Sequence, residues 1–109
     1  PVTLPLGDEL PGGQLLARVL GQPGGWEDEL LRMLCEVLRP GDTFLDVGAH
    51  RGLWSVVAAH CVGPTGRILA FEPDPTNFAL RTATLAANAV AHGVEARPQA
   101  VGDCVGSVL

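Results

Sequence analysis

The sequence contains no lysine and no tyrosine, and its seven basic residues are all arginine. Without lysine a phosphate-binding P-loop is excluded, because that loop needs a lysine to reach the phosphates. The formal net charge of −5 argues against a surface built for nucleic acid or for an anionic membrane. No uninterrupted apolar run approaches the length of a membrane span. With 47% hydrophobic residues, the chain is expected to be globular.

Cysteine is also scarce. Cys35, Cys61 and Cys104 lie far apart and form no C-x-x-C pair, so the spacing indicates neither a zinc site nor a disulfide framework. We expect buried free thiols in a reducing compartment and no metal. Asp8 and Glu9 lie where a secretory leader would be apolar. These features predict a cytoplasmic protein.

The length of 109 residues suits one small domain. Residues 1–25 are rich in proline and glycine and are interpreted as an irregular lead-in, with the domain itself at 26–109. Apolar periodicity predicts helices at about 27–38, 51–62 and 75–91, and strands at 43–47, 67–71 and 94–101, with a further strand beginning in the tail from 104. This alternation predicts an α/β fold: a Rossmann-like, open, mainly parallel sheet with helices on both faces. Only the first half of such a sheet is expected in this chain.

The segment from Gly41 to Gly52 predicts a strand, a glycine turn and the start of a helix. Such corners bind ligands beyond the carboxyl ends of the strands. A dinucleotide needs three glycines in the pattern G-x-G-x-x-G, but after Gly48 the second and third positions hold His50 and Leu53. The turn is therefore poorly suited to a pyrophosphate.

A second acid, Glu72, follows the second predicted strand, 26 residues after Asp46. An acid there can accept hydrogen bonds from ribose hydroxyls and would repel a 2′-phosphate. A site with two acids and no phosphate-binding loop suits S-adenosylmethionine, which carries a ribose, a sulfonium and an ammonium but no phosphate. Its carboxylate can use the amides at the helix start.

These motifs resemble those of the FkbM family of class I methyltransferases, whose first motif is usually D-V-G-A-N-x-G and whose second is E-P-x-P-x-N. Here the corresponding stretches are Asp-Val-Gly-Ala-His-Arg-Gly at 46–52 and Glu-Pro-Asp-Pro-Thr-Asn at 72–77. The resemblance covers roughly residues 24–109. His50 departs from the family's usual asparagine, which leaves the role of that position open.

The resemblance implies a methyltransferase that uses S-adenosylmethionine and most often methylates an oxygen. By matching position, the methionine-side loop would contain Asp46, Gly48, Ala49 and Gly52. Glu72 would hold the ribose, and Pro73 and Asp74 would border the adenine. The expected acceptor is a small-molecule or sugar hydroxyl, with neither nucleic acid nor membrane as a partner. In such folds the base and acceptor pocket usually follow the fourth strand, so we expect this chain to supply the cofactor-binding half.

Alternative interpretations stay open from the residues alone. The fold also suits an NAD-dependent oxidoreductase or a non-catalytic interaction module. Asp46 can simply cap the following helix, and Glu72 can be an exposed acid at a strand end. His60 lies on the apolar face of its predicted helix and is expected to be structural, whereas His92 is expected at the surface.

Overall fold

The structure is a computed structural model that describes residues 26–88 and 90–107. The predicted lead-in at residues 1–25 lies outside the described residues. The elements are α1 (Trp26–Val37), β1 (Thr43–Val47), α2 (Leu53–Val62), β2 (Arg67–Phe71), α3 (Pro75–Ala87), a 3₁₀ turn (Ala91–Gly93) and β3 (Val94–Arg97). The predicted alternation of helices and strands is confirmed, and β1 and β2 have the predicted bounds.

The three strands form one parallel sheet in the order β1-β2-β3. Thr43 pairs with Arg67 at the start of β1, and Val47 pairs with Phe71 at its end. In the second pair, Ile68 lies beside Val94. Because the strands are parallel and in this register, the residues that follow β1 and β2 meet at one edge of the sheet. The predicted α/β class with a parallel sheet is therefore confirmed.

The last helix and the last strand are shorter than their predicted lengths. α3 ends at Ala87 because Asn88 caps it: the backbone N–H and the side-chain amide of Asn88 both donate to the carbonyl of Thr84. A 3₁₀ turn then leads into β3, which ends at Arg97. The described tail, residues 98–107, contains no strand. Local apolar alternation was not sufficient to extend β3 without a neighbouring strand to pair with.

The main core lies between α2 and the sheet. Ala58, Val62 and Ile68 are almost completely buried, and side chains from α1, β1 and β3 pack against them. A Cβ atom at Gly66 would lie 2.2 Å from Cγ2 of Val62. The glycine therefore lets the start of β2 pass directly beneath the end of α2.

The described helices cover the sheet face that carries Phe44 and Ile68. On β1 the alternate residues Leu45 and Val47 point the other way, and each is 60% exposed. Strand residues alternate between faces, so this pattern places the side chain of Asp46 on the helix-covered side. In the described part of the chain, no helix is long and apolar enough to cross a membrane.

Two predictions about thiols and histidines were wrong. Cys35 and Cys61 are joined in a disulfide between α1 and α2, with their Cα atoms 5.6 Å apart, and Cys104 is exposed. The chain positions are 26 residues apart, so only the packing of the two helices reveals the pair. His60 is exposed rather than part of the apolar face of α2. This helix is apolar on nearly all sides, so residue spacing did not identify its exposed side.

Candidate cofactor-binding site

Asp46 lies at the carboxyl end of β1 and is 8% exposed. The hydroxyl of Ser55, in the first turn of α2, donates a hydrogen bond of 2.5 Å to its Oδ2 atom. Burial raises the pKa of Asp46, while the bond from Ser55 and the charge of Arg81 oppose that rise. The alternative interpretation, in which Asp46 caps the following helix, is thus partly correct, because this carboxylate ties β1 to the start of α2.

The glycine turn between β1 and α2 uses the left-handed backbone region at three positions. Gly48 has a φ of 76°, His50 of 49° and Gly52 of 90°. Gly48 and Ala49 donate their N–H groups to the carbonyl of Phe71, which fixes the turn against the end of β2. The space where a Cβ of Gly48 would lie is open, with no atom within 4 Å. The turn therefore leaves room for a ligand to approach bare backbone.

His50 contributes to this turn through its backbone. Its N–H donates to Oε2 of Glu72 at 2.8 Å, and its side chain is exposed. Asparagine and histidine are both enriched among non-glycine residues with positive φ, so histidine is compatible with this conformation. The substitution of the family's usual asparagine thus preserves the backbone geometry of the turn.

Glu72 follows β2 and is 6% exposed, so its interpretation as an exposed strand-end acid was wrong. Its Oε1 atom accepts the N–H of Asp74 at 2.9 Å, in addition to the bond from His50 to Oε2. Each carboxylate oxygen can accept a further hydrogen bond. Because Asp46 pairs in register with Ala70, Asp46 and Glu72 lie on the same face of the sheet. Their charges interact, since Glu72 contributes to the raised pKa of Asp46.

Asp74 is the N-cap of α3, and its carboxylate accepts the N–H of Asn77 at 2.8 Å. Pro75 occupies the first helical position, where its missing N–H costs nothing. The predicted start of this helix at residue 75 is confirmed. Pro73, which lies between Glu72 and Asp74 in the chain, is exposed. The structure thus brings the seven predicted cofactor residues to one end of the sheet: Asp46, Gly48, Ala49, Gly52, Glu72, Pro73 and Asp74.

Sequence reasoning missed two residues of this site, Ser55 and Arg81. Arg81 is completely buried, and its guanidinium lies over the ring of Phe78, with Cζ 4.6 Å from the ring centroid. Its stem packs against Gly52, where a Cβ would lie 2.6 Å from Cγ of Arg81. Burial lowers the pKa of Arg81, while the charges of Asp46 and Glu72 oppose that change. The signal in the sequence that could have identified Arg81 was its position three residues after Phe78, on the same face of an amphipathic helix.

Other features of the described chain are less suited to chemistry. No group of three or more histidine, cysteine, aspartate or glutamate residues is arranged to hold a metal among the described residues. A cavity of about 390 Å³ lies at the other end of α2 and is lined by residues that include His60, Pro64 and Asn88. None of the predicted cofactor residues lines it. The glycine turn with its two buried acids is therefore the better candidate site.

An open parallel sheet with this turn and these acids is the architecture of class I Rossmann-like methyltransferases. A solved structure of an S-adenosylmethionine-dependent O-methyltransferase from Thermotoga maritima has the same fold, with a TM-score of 0.65 and 19% sequence identity. The match covers 78% of this chain and 34% of that one. The predicted fold class is confirmed by this similarity.

Residues 46–108 match the family model of the methyltransferase FkbM domain, so the chain belongs to the FkbM methyltransferase family. It is 47% identical over 60 residues to the 31-O-demethyl-FK506 methyltransferase FkbM of Streptomyces tacrolimicus, covering 55% of this chain and 21% of that protein. It is also 44% identical over 43 residues to ribosomal RNA large subunit methyltransferase E of Sorangium cellulosum, covering 39% and 20%. The chain therefore spans about a fifth of the length of each of these relatives.

Proposed function

We propose that this chain is the cofactor-binding half of an S-adenosylmethionine-dependent methyltransferase. The observation that carries the proposal is the placement of two buried carboxylates, Asp46 and Glu72, on one sheet face beside the open backbone of Gly48. A cationic nucleoside without phosphate matches that combination, because the acids favour its positive charges and the turn offers no lysine. Membership of the methyltransferase family supports the same cofactor.

We propose roles for individual residues from their match to the family motifs. Asp46, Gly48, Ala49 and Gly52 would lie beside the methionine portion of the cofactor. The carboxylate of Glu72, already oriented by two backbone N–H donors, would accept hydrogen bonds from the ribose hydroxyls. Pro73 and Asp74 would border the adenine.

The residues present fit the cofactor chemically. Oδ2 of Asp46 is engaged by Ser55, and each oxygen of Glu72 has one donor, so lone pairs remain on both carboxylates. When bound, S-adenosylmethionine would supply the methyl group on its sulfonium. The contribution of this chain would be to bind and align that donor, and alignment accounts for much of the acceleration in a displacement reaction.

For the acceptor, we propose a hydroxyl oxygen on a small molecule or a glycan. The name of the Streptomyces tacrolimicus relative specifies 31-O-demethyl-FK506 as its substrate, which supports oxygen as the acceptor atom. A ribosomal RNA methyltransferase is also a relative, but that similarity spans 43 residues, against 60 for the Streptomyces tacrolimicus relative. The net charge of −5 does not favour RNA as a partner. A cytoplasmic location, which was predicted from free thiols, is not supported by the Cys35–Cys61 disulfide.

Isothermal titration calorimetry with S-adenosylhomocysteine tests the cofactor assignment. We expect binding by the unmodified chain and a more than tenfold loss of affinity in Glu72→Ala, because the ribose would lose its acceptor. Glu36→Ala is the matched control, since Glu36 is an exposed acid on α1. Thermal unfolding of both variants separates loss of the ligand contact from loss of the turn that Glu72 also holds.

Two results would contradict this proposal. An unchanged affinity in a folded Glu72→Ala variant would remove the ribose assignment. Thermal stabilisation by NADH but not by S-adenosylhomocysteine would favour an oxidoreductase instead, and a folded chain that binds neither ligand would favour an interaction module.

A further inference from the structure

The cavity at the carboxyl end of α2 lies at the opposite end of the sheet from the candidate cofactor site. Its lining residues include Gly63, which comes shortly before β2, and Gly93, which directly precedes β3. Because the strands are parallel, the cavity lies near their amino ends, whereas Asp46 and Glu72 lie at their carboxyl ends. Its volume of about 390 Å³ is in the range of pockets that bind small molecules.

Asn88 lines this cavity and carries a buried acceptor without a described partner. The residue is 8% exposed, and its Oδ1 atom makes no hydrogen bond with a described residue. The orientation of the amide is fixed, because Nδ2 donates to the carbonyl of Thr84 at 2.8 Å and a rotated amide would place two oxygens together. A buried amide oxygen costs free energy unless a donor completes it.

The carboxyl ends of two helices add to the acceptor character of the cavity. Gly63 and Asn88, which both line it, are the C-caps of α2 and α3. Pro64 has no N–H, so the carbonyl of His60 lacks the donor that a helix usually provides four residues later. Helix carboxyl ends carry partial negative charge. The cavity therefore favours a positively charged hydrogen-bond donor.

The remaining walls of the cavity are apolar or have no side chain. They are formed by Ala59, Gly63, Pro64, Val90 and Gly93. At both glycines a Cβ atom would meet no other atom within 4 Å, so the space beside them is open. No acid and no arginine is among the lining residues that the structure describes. Such walls suit an aliphatic stem rather than a second charged group.

We propose that this cavity binds a primary ammonium group on an aliphatic stem, with the ammonium at Oδ1 of Asn88. An ammonium has three donors, which match the amide oxygen and the carbonyls at the helix ends. No lysine of this sequence can supply the group, because the sequence contains none. A free amine and a lysine side chain of another protein share this chemistry. The inference does not depend on the proposed cofactor.

Nuclear magnetic resonance titration tests the site through the side-chain amide signals of Asn88. The probes are pentylamine, Nα-acetyl-lysine methylamide and pentanol, which has the same stem as pentylamine without the charge. We expect a dissociation constant on the order of 1 mM for pentylamine and binding at least tenfold weaker for pentanol. Tighter binding of the lysine derivative than of pentylamine would assign the site to a protein lysine, and the reverse order to a free amine.

Gly93→Val tests the location by filling the cavity. The φ of Gly93 is not positive and the space beside it is open, so the fold should tolerate valine. We expect the affinity for pentylamine to fall at least tenfold. Gly102→Val is the matched control, because a Cβ there also meets no atom within 4 Å and Gly102 does not line the cavity. Thermal unfolding checks that both variants are folded.

His60→Lys tests the charge preference and keeps the inference testable if Gly93→Val does not fold. His60 is exposed and lines the cavity, so the variant places a fixed cation at its mouth. The affinity for pentylamine should fall severalfold, whereas the affinity for pentanol should be unchanged.

Four results would overturn the inference. If pentylamine does not shift the Asn88 signals, water alone completes Oδ1. Equal affinities for pentylamine and pentanol would indicate an apolar cavity without a charge preference. Equal losses in Gly93→Val and Gly102→Val would locate the binding elsewhere. Displacement of pentylamine by S-adenosylhomocysteine would show that the amine occupies the candidate cofactor site.

Discussion

The two ends of α2 lie in very different surroundings. At its amino end, beside the carboxyl ends of the strands, four polar or charged side chains are buried: Asp46, Ser55, Glu72 and Arg81. At its carboxyl end, Ala58, Val62 and Ile68 form an apolar cluster with exposures of 0–1%. Burying polar groups costs free energy that burying apolar groups does not. The contrast indicates that the apolar end stabilises the fold, and it supports the proposal that the polar end binds a ligand.

The largest loss of stability is expected from a substitution at the apolar end of α2. Ile68→Ala removes a fully buried side chain beneath α2 and should lower the free energy of unfolding by about 3 kcal/mol. Leu45→Ala is the control, because Leu45 is 60% exposed on the other sheet face and should change stability far less. Urea denaturation followed by circular dichroism measures both. Equal losses would contradict the location of the core.

A similar effect is expected from the disulfide, which links α1 to α2 beside a second cluster formed by Leu31, Leu53 and Val57. Because Cys35 and Cys61 are separated by 26 positions, Cys35→Ser should destabilise the protein by about 3 kcal/mol under oxidising conditions. Under reducing conditions the variant and the unmodified chain should unfold alike. Cys104→Ser, at an exposed free thiol, should have no effect in either condition. A thiol titration that finds three free thiols would rule out the pairing.

At the polar end, Gly52→Ala should cost about 2 kcal/mol, because its φ of 90° is unfavourable for alanine and the new methyl would contact Arg81. Gly48→Ala has a similar φ but open space around the methyl, so about 1 kcal/mol is expected there. Thermal unfolding measures the difference between the two variants. A larger loss for Gly48→Ala would indicate that the contact with Arg81 does not constrain the turn.

The smallest expected change in stability comes from ionisation of the Asp46 carboxyl. Burial raises the pKa of Asp46 above its ordinary value of 3.8. The carboxyl of Asp46 therefore binds its proton at a higher pH in the folded protein than in the unfolded chain. The stability that this protonation contributes is present below pH 3.8 and is lost as the pH rises through the raised pKa. Asp46→Asn removes this titration. Its stability relative to the unmodified chain should increase as the pH rises above 3.8 and through the raised pKa, in step with ionisation of the buried carboxyl.

Denaturation of both proteins at a series of pH values measures that difference. A relative stability that falls as the pH rises would show that Ser55 and Arg81 favour the ionised form more than burial disfavours it.

Much of the candidate site was predictable from local sequence. The bounds of β1 and β2 followed from short apolar runs, and α3 begins at the predicted residue, Pro75. Once the strands were predicted to be parallel, Asp46 and Glu72 had to lie at the same edge, because parallel strands end on the same side of a sheet. The functional assignment of these residues stays a prediction that ligand binding must test.

The sequence by itself determined the order of the elements, the parallel sheet and the edge where the acids lie, since these depend on patterns within a few residues. Only the tertiary structure decided which distant side chains meet. The Cys35–Cys61 pair, the bond from Ser55 to Asp46, and the burial of Arg81 against Gly52 depend on how each helix is rotated over the sheet. That rotation results from the packing of the whole core, and no single stretch of sequence specifies it.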